Sequence, residues 1–150
     1  MLYLQLYLDE YRYILSTSNV VEIVPGVKLT PIPKVPSYIS GICNYRGSSV
    51  PVIDLCELFL NRPSKKKLSS RIVFVNVSRS ENRKKIVGFL VEKATETIKL
   101  DEDSFVSSGV YNKDLPFTGP VVSDKQGLIT RILPEEIFNE IDSDLLFSNG

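Results

Sequence analysis

The chain has 150 residues, enough for one domain that buries about two thirds of its unfolded surface. Its 18 basic and 18 acidic residues cancel, so no overall field draws it toward nucleic acid or anionic lipid. There is no His, and Cys43 and Cys56 form no C-x-x-C pair, which excludes most zinc sites and every His-based catalytic triad. We therefore expect free thiols, no metal or other cofactor, and a cytoplasmic protein.

The first elements are predicted from short-range patterns. Leucines at alternate positions of 2–8 predict a strand, and the β-formers of 11–16 predict a second strand that completes a hairpin. Residues 19–22, Asn-Val-Val-Glu, have the spacing of a capping box and predict a short helical turn. The prolines of 31–36 predict an extended edge segment or a surface arm, whose backbone is open to a partner.

The centre of the first half is residues 44–55, Asn-Tyr-Arg-Gly-Ser-Ser-Val-Pro-Val-Ile-Asp-Leu. They predict a strand end, a tight turn at 47–49, and a second apolar strand that runs into a helix capped by Asp54. Arg46 stands at the turn between two buried segments. It is either a binding residue or one half of an internal salt bridge, with Glu22 or Asp54 as its partner.

The second half begins after a polar connector at 64–70, which we predict to be a boundary between subdomains. The elements predicted beyond it are a hairpin (71–77 with 85–91), a segment that fits strand or helix (94–100), a long loop (101–119), a strand (128–133), a helix that starts at Pro134 and a frayed tail (142–150).

A faint repeat relates the two halves. Residues 13–22 align with 87–96, 41–42 with 119–121, and 50–59 with 129–138, at offsets that stay between 74 and 79 residues. The order of the three matches is the same in both halves. We therefore predict an all-β protein with two similar subdomains, at about 1–63 and 71–141, each closing with a strand, a cap and a short helix.

The sequence offers little catalytic chemistry. Asp54, the acidic residues of 101–103 and the two cysteines are the available groups, and no glycine-rich phosphate loop or metal-ligand spacing is present. A hydrolase built on Asp54 is one alternative, although a helix cap explains that residue. Single-stranded nucleic-acid binding through Lys65–Lys67 and the basic residues of 83–85 is another, although these clusters lack interleaved aromatic residues. We predict no enzyme.

Residues 38–47 and 50–55 resemble the signature of the CheW family, which is Gly, an apolar residue, Asn-Leu-Arg-Gly, and then Pro, an apolar pair and Asp-Leu. Tyr45 replaces the usual Leu. Residues 20–23 and 29–33 resemble the family's Val-x-Glu-Ile and Ile-Thr-x-Val-Pro. The resemblance implies two five-stranded SH3-like β barrels around a shared core. It also implies a non-enzymatic adaptor that couples the cytoplasmic tips of chemoreceptors to the regulatory domain of the histidine kinase CheA, in chemotaxis or a related motility pathway.

The resemblance further implies two binding surfaces. The receptor-binding residues would be Val20, Glu22, Arg46 and Val87. The kinase-binding residues would be Leu29, Thr30 and Ile32. With these two protein partners we expect neither nucleic-acid binding nor insertion into a membrane.

Overall fold

The computed structural model describes residues 1–26, 28–77, 85–109 and 118–141, and over these ranges it consists mainly of strands. The strands are β1 (Leu2–Leu8), β2 (Tyr11–Ser16), β3 (Val20–Pro25), β4 (Ile39–Tyr45), β5 (Ser48–Asp54), β6 (Arg71–Asn76), β7 (Ile86–Val91), β8 (Lys93–Lys99), β9 (Thr118–Asp124) and β10 (Gly127–Ile132). The α-helices are α1 (Leu55–Leu60) and α2 (Pro134–Glu140). Within these ranges, no helix is long and apolar enough to cross a membrane.

Two five-stranded sheets confirm the predicted all-β fold. The first sheet has the strand order β3-β6-β7-β5-β4, and the second sheet has the order β8-β1-β2-β10-β9. In each sheet, the strand that precedes a helix pairs in parallel with a central strand. Val52 of β5 lies opposite Gly88 of β7, and Arg131 of β10 lies opposite Ile14 of β2. The sequence repeat relates these same positions, so the two sheets share one arrangement.

The sheets do not divide the chain at the predicted boundary. β3, β4, β5 and α1 of the first half join β6 and β7 of the second half, while β1 and β2 join β8, β9 and β10. Residues 64–70 therefore connect α1 to β6 inside the first sheet. The division into 1–63 and 71–141 describes the sequence repeat, but it does not separate the two sheets. The hairpin that opens each half pairs with the later strands of the other half. The predicted tail at 142–150 lies outside the described residues.

One hydrophobic core lies between the sheets. Leu4, Leu6 and Leu8 of β1 pack in it with residues of the first sheet such as Val75 and Phe89. Tyr3 projects from the opposite face of β1 into a smaller core of the second sheet. β1 is therefore covered on both faces, and its buried polar residue Gln5 follows from this position.

The helical turn predicted at 19–22 is absent. A 3₁₀ helix occupies Thr17–Asn19, with the side chain of Ser16 accepting a hydrogen bond from the backbone of Ser18, and β3 begins at Val20. The β-branched residues that follow favour a strand, and antiparallel pairing with β6 outweighs the local capping signal. The ambiguous segment at 94–100 is also a strand, β8.

Candidate functional site

Arg46 occupies a strained position in a tight hairpin. Tyr45 of β4 lies opposite Ser48 of β5, which leaves Arg46 and Gly47 as the two turn residues, one place earlier than the predicted turn. Their φ values are 52° and 84°, both in the region required by a type I′ turn. Asn, Asp or Gly is preferred at the first position of this turn, and a side chain such as that of Arg costs roughly 1–2 kcal/mol in this backbone region.

The Arg46 side chain connects the hairpin to the opposite edge of the first sheet. Its Nη2 donates a hydrogen bond to Oε1 of Glu22 on β3, at 2.9 Å. Its guanidinium carbon lies 5.3 Å from the centre of the Tyr45 ring, which in turn stacks on Phe74. The Arg46 side chain nevertheless remains 74% exposed. Of the two internal partners considered from the sequence, Glu22 is the one that Arg46 contacts.

β3 presents different chemistry on its two faces. Val20 is half-buried at the margin of the shared core, and Glu22 follows it along the strand. Val21 and Ile23 alternate with Glu22 and are 42% and 40% exposed. β3 is thus an edge strand with an ion pair on one face and aliphatic side chains on the other. Val20 and Glu22 were named from the sequence, but the exposed aliphatic face of Val21 and Ile23 was not, although the β-branched composition of 20–24 is typical of a strand.

Val87 does not lie on this surface. Its side chain is only 1% exposed, and it packs in the shared core from the central strand β7, opposite Val75. The face of β7 that carries Val87 packs into the shared core. The role predicted for Val87 in receptor contact therefore requires correction, since the side chain offers no surface to a partner.

The residues expected to face the kinase lie along the other edge of the first sheet. Thr30 is exposed and forms an isolated bridge with Ile42 of β4, with N···O distances of 2.9 and 2.8 Å. Leu29 and Ile32 are half-buried on either side of it. The chain passes so close to Gly41, at φ 148°, that a Cβ there would come within 2.5 Å of the Thr30 carbonyl oxygen. The bridge thus places Thr30, at the start of the proline-rich segment, on the sheet edge.

The groups considered for catalysis have structural roles. Asp54 caps α1, as predicted, by accepting a hydrogen bond from the Cys56 backbone at 2.9 Å, and it also accepts one from the Ser64 backbone at 2.8 Å. Burial raises the pKa of the Cys43 and Cys56 thiols, which keeps them protonated at neutral pH. The described residues contain no group of His, Cys, Asp and Glu side chains that could hold a metal ion.

Comparison with known proteins gives a consistent result. A CheW-like domain model matches residues 2–142. The chain is 26% identical over 136 residues to chemotaxis protein CheW of Helicobacter pylori, and the matched region covers 89% of this chain and 78% of that protein. It is 34% identical over 71 residues to protein FrzA of Myxococcus xanthus, covering 47% and 44%. The structure of scaffolding protein TtCheW from Thermoanaerobacter tengcongensis superposes with a TM-score of 0.77 at 31% identity, over 87% of this chain and 82% of that one.

These similarities agree with the geometry of the site. The fold superposes on the TtCheW structure, and Asp54 and the two cysteines are occupied in capping and packing. None of the comparisons supports the nucleic-acid alternative. The chain belongs to the CheW-like domain family and is a non-enzymatic chemotaxis adaptor.

Proposed function

We propose that this adaptor joins the cytoplasmic tip of a chemoreceptor to the regulatory domain of the histidine kinase CheA through opposite edges of its first sheet. The receptor contacts the β3 edge, including Val20, Glu22 and Arg46. The kinase contacts the β4 edge at Leu29, Thr30 and Ile32. The pathway is chemotaxis or a related form of motility, and both contacts are made in the cytoplasm.

The strained, exposed Arg46 is the observation that carries the proposal. Its turn position favours Asn or Gly, and an exposed ion pair contributes only about 0–1 kcal/mol to stability. The pair with Glu22 therefore does no more than offset the backbone cost of placing Arg in the turn. Stability alone gives no reason for Arg at this position, whereas recognition of an acidic partner group does.

The chemistry of β3 specifies what the receptor surface must offer. A carboxylate opposite Arg46 would compete with or extend its pair with Glu22, and aliphatic groups would cover Val20 and the exposed side chains of Val21 and Ile23. A contact along a strand edge reaches both faces of that strand. The ion pair then fixes orientation, while the aliphatic side chains contribute most of the buried area.

The β4 edge suits a different contact. Thr30 is exposed between two half-buried aliphatic residues, and the bridge between Thr30 and Ile42 fixes this stretch of chain against the sheet. A partner docking here meets a rigid surface, which lowers the entropy cost of association. The two candidate contacts share no residue, so we expect both partners to bind together, with the Arg46 hairpin on the receptor side because its side chain reaches Glu22 of β3.

For the receptor surface we predict that Arg46→Glu abolishes binding because it places two carboxylates side by side. Arg46→Asn should weaken binding by about tenfold or more while keeping the melting temperature, since Asn-Gly is a preferred type I′ pair. Titration calorimetry with a receptor cytoplasmic fragment measures the affinity, and thermal melting measures the fold. Lys99→Glu is the control, because Lys99 is exposed on the second sheet. Unchanged receptor affinity in a folded Arg46→Asn protein would refute the assignment.

For the kinase surface we predict that Leu29→Asp weakens capture of the CheA regulatory domain and leaves receptor affinity unchanged. Because Leu29 packs against a core cluster, the variant loses some stability. The exposed neighbour offers a second variant, Thr30→Lys, which keeps the fold and should weaken the same interaction. Equal loss of both partners in Thr30→Lys would contradict the assignment of separate surfaces.

A further inference from the structure

A groove of about 590 Å³ opens beside the connector between α1 and β6. We call it the basic groove and define it by the four lysines that line it, Lys28, Lys65, Lys66 and Lys67, together with the aliphatic residues Leu29 and Leu90. Its volume lies in the range of sites that hold small ligands or a few residues of a peptide. The groove shares Leu29 with the candidate kinase surface and Asp54 with the candidate catalytic groups, but neither assignment accounts for its four lysines.

The basic groove concentrates positive charge in a chain whose formal charge is zero. All four lysines are exposed, and none takes part in an ion pair within the described part of the chain. The acidic side chain that lines the groove is Asp54, whose carboxylate is engaged by the backbones of Cys56 and Ser64. The rim therefore favours an anionic occupant.

The groove also has apolar surface that a small inorganic anion would not use. The half-buried side chains of Leu29 and Leu90 line it, whereas Ile72 lies almost fully buried beneath them. Leu68, directly after the three consecutive lysines, is fully exposed. A ligand that matches both features carries acidic groups beside an aliphatic group.

We propose that the basic groove binds an extended acidic segment of a partner protein, anchored by an aliphatic side chain. A peptide fits better than single-stranded nucleic acid because none of the described residues that line the groove is aromatic, so bases have nothing on which to stack. It fits better than an anionic bilayer because the lysines border a concavity, whereas a lipid surface requires a protruding patch. The inference goes beyond the proposed function, because the ligand is an extended segment and not a folded domain.

Selection from a library of short random peptides displayed on phage tests the inference on the intact chain. We expect the selected peptides to be rich in Asp and Glu around a Leu or Ile. Fluorescence anisotropy should then show that the double variant Lys66→Glu, Lys67→Glu binds them about tenfold more weakly, and that added NaCl weakens binding to the native chain. Lys28→Glu, at a lining position far from the other lysines in sequence, should weaken binding independently.

The matched control is the double variant Lys99→Glu, Lys125→Glu, which makes the same charge change at exposed positions of the second sheet and should leave the affinity unchanged. The inference is overturned if the selected peptides are not acidic, or if their affinity survives both sets of groove substitutions. It is also overturned if oligothymidylate or phosphatidylserine vesicles bind more tightly than the peptides. No kinase or receptor is present, so this result is independent of the tests of the proposed function.

Discussion

Glu92 carries its charge almost completely inside the protein. Its side chain is buried between β7 and β8, where the chain passes from one sheet to the other. Arg62 pairs with it at 3.0 Å, and the backbones of Lys65 and Asp9 each donate a hydrogen bond to it at 2.7 Å. One carboxylate therefore connects the first hairpin, the end of α1 and the connector.

These contacts decide how Glu92 responds to pH. Burial is the largest single effect and raises the pKa of Glu92, but the bonds from Arg62, Lys65 and Asp9 together lower it more, from an ordinary 4.5 to about 2. A carboxylate whose pKa is lower in the folded state stabilises the fold above its ordinary pKa. That contribution is lost as pH falls from 4.5 toward 2, and the difference in pKa corresponds to about 3 kcal/mol.

We predict that Glu92→Gln lowers the free energy of unfolding by about 3 kcal/mol at pH 7, because it leaves Arg62 without its buried partner. Urea denaturation at several pH values measures the effect. The difference between the native chain and the variant should shrink as the pH falls below 4.5. Glu96→Gln, at an exposed position of β8, is the control and should change stability by less than about 0.5 kcal/mol. A difference that is constant with pH would refute the role of the charge.

Only some residues of the candidate site could be judged from the sequence. The conspicuous Arg46 and its partner Glu22 could be found because a charged residue between apolar strands stands out locally. Val87 could not be judged, because its burial depends on β7 lying in the middle of a sheet built from distant segments. Glu92 was missed for the same reason, since its partners, Asp9 and the neighbouring Arg62 and Lys65, lie far from it in sequence.

Among the elements, α1 depends most clearly on one side chain. Asp54 ends β5, caps the helix through the Cys56 backbone, and also holds the backbone of Ser64 in the connector. The helix returns to a loop at Asn61, whose left-handed backbone closes it. A helix of 6 residues has little intrinsic stability, so its caps and buried face determine whether it forms.

We predict that Asp54→Ala destabilises the protein by about 3 kcal/mol, through loss of the helix cap and of the acceptor for the buried Ser64 backbone. Asp54→Asn should cost less, about 1–2 kcal/mol, because its remaining carbonyl oxygen can still accept a bond from Cys56. Thermal and urea unfolding measure both, with Asp103→Asn in an exposed turn as the control. If Asp54→Asn were as stable as the native chain, the carboxylate would not be the stabilising group.

The elements that sequence analysis predicted correctly are those with local causes. The β1–β2 and β4–β5 hairpins, the Asp54 cap and the helix at Pro134 each depend on residues a few positions apart. β3 was predicted as a helical turn because its capping spacing is local, whereas its pairing partner β6 lies about 50 residues away. The β-branched residues of 20–24 favour a strand locally, but the pairing with β6 that decides the outcome cannot be seen in a short stretch of sequence.

At the scale of the whole molecule, the two halves of the chain are interlocked. The order of strands along the first sheet is reproduced in the second sheet, but each sheet combines the first hairpin of one repeat with the later strands of the other. The repeat could be read from sequence offsets, because equivalent residues keep their spacing. The exchange of hairpins could not be read from the sequence. Exchanged and unexchanged hairpins would both place the same side chains in a core.

This interlocking predicts how a divided chain behaves. Fragments 1–67 and 68–150 each lack strands needed to complete either sheet, so neither should fold alone, and mixing them should restore the β-sheet signal in far-ultraviolet circular dichroism. Lys67 and Leu68 are both exposed, so the cut itself removes no buried contact. The melting temperature of the mixture should rise with concentration, because folding is coupled to association.

Fragments 1–26 and 27–150, cut beyond β3, serve as the comparison and should also need each other, since β1 and β2 complete the second sheet. If fragment 68–150 alone gave a cooperative thermal transition and dispersed amide resonances, the halves would be independent subdomains and the hairpin exchange would not be required for folding.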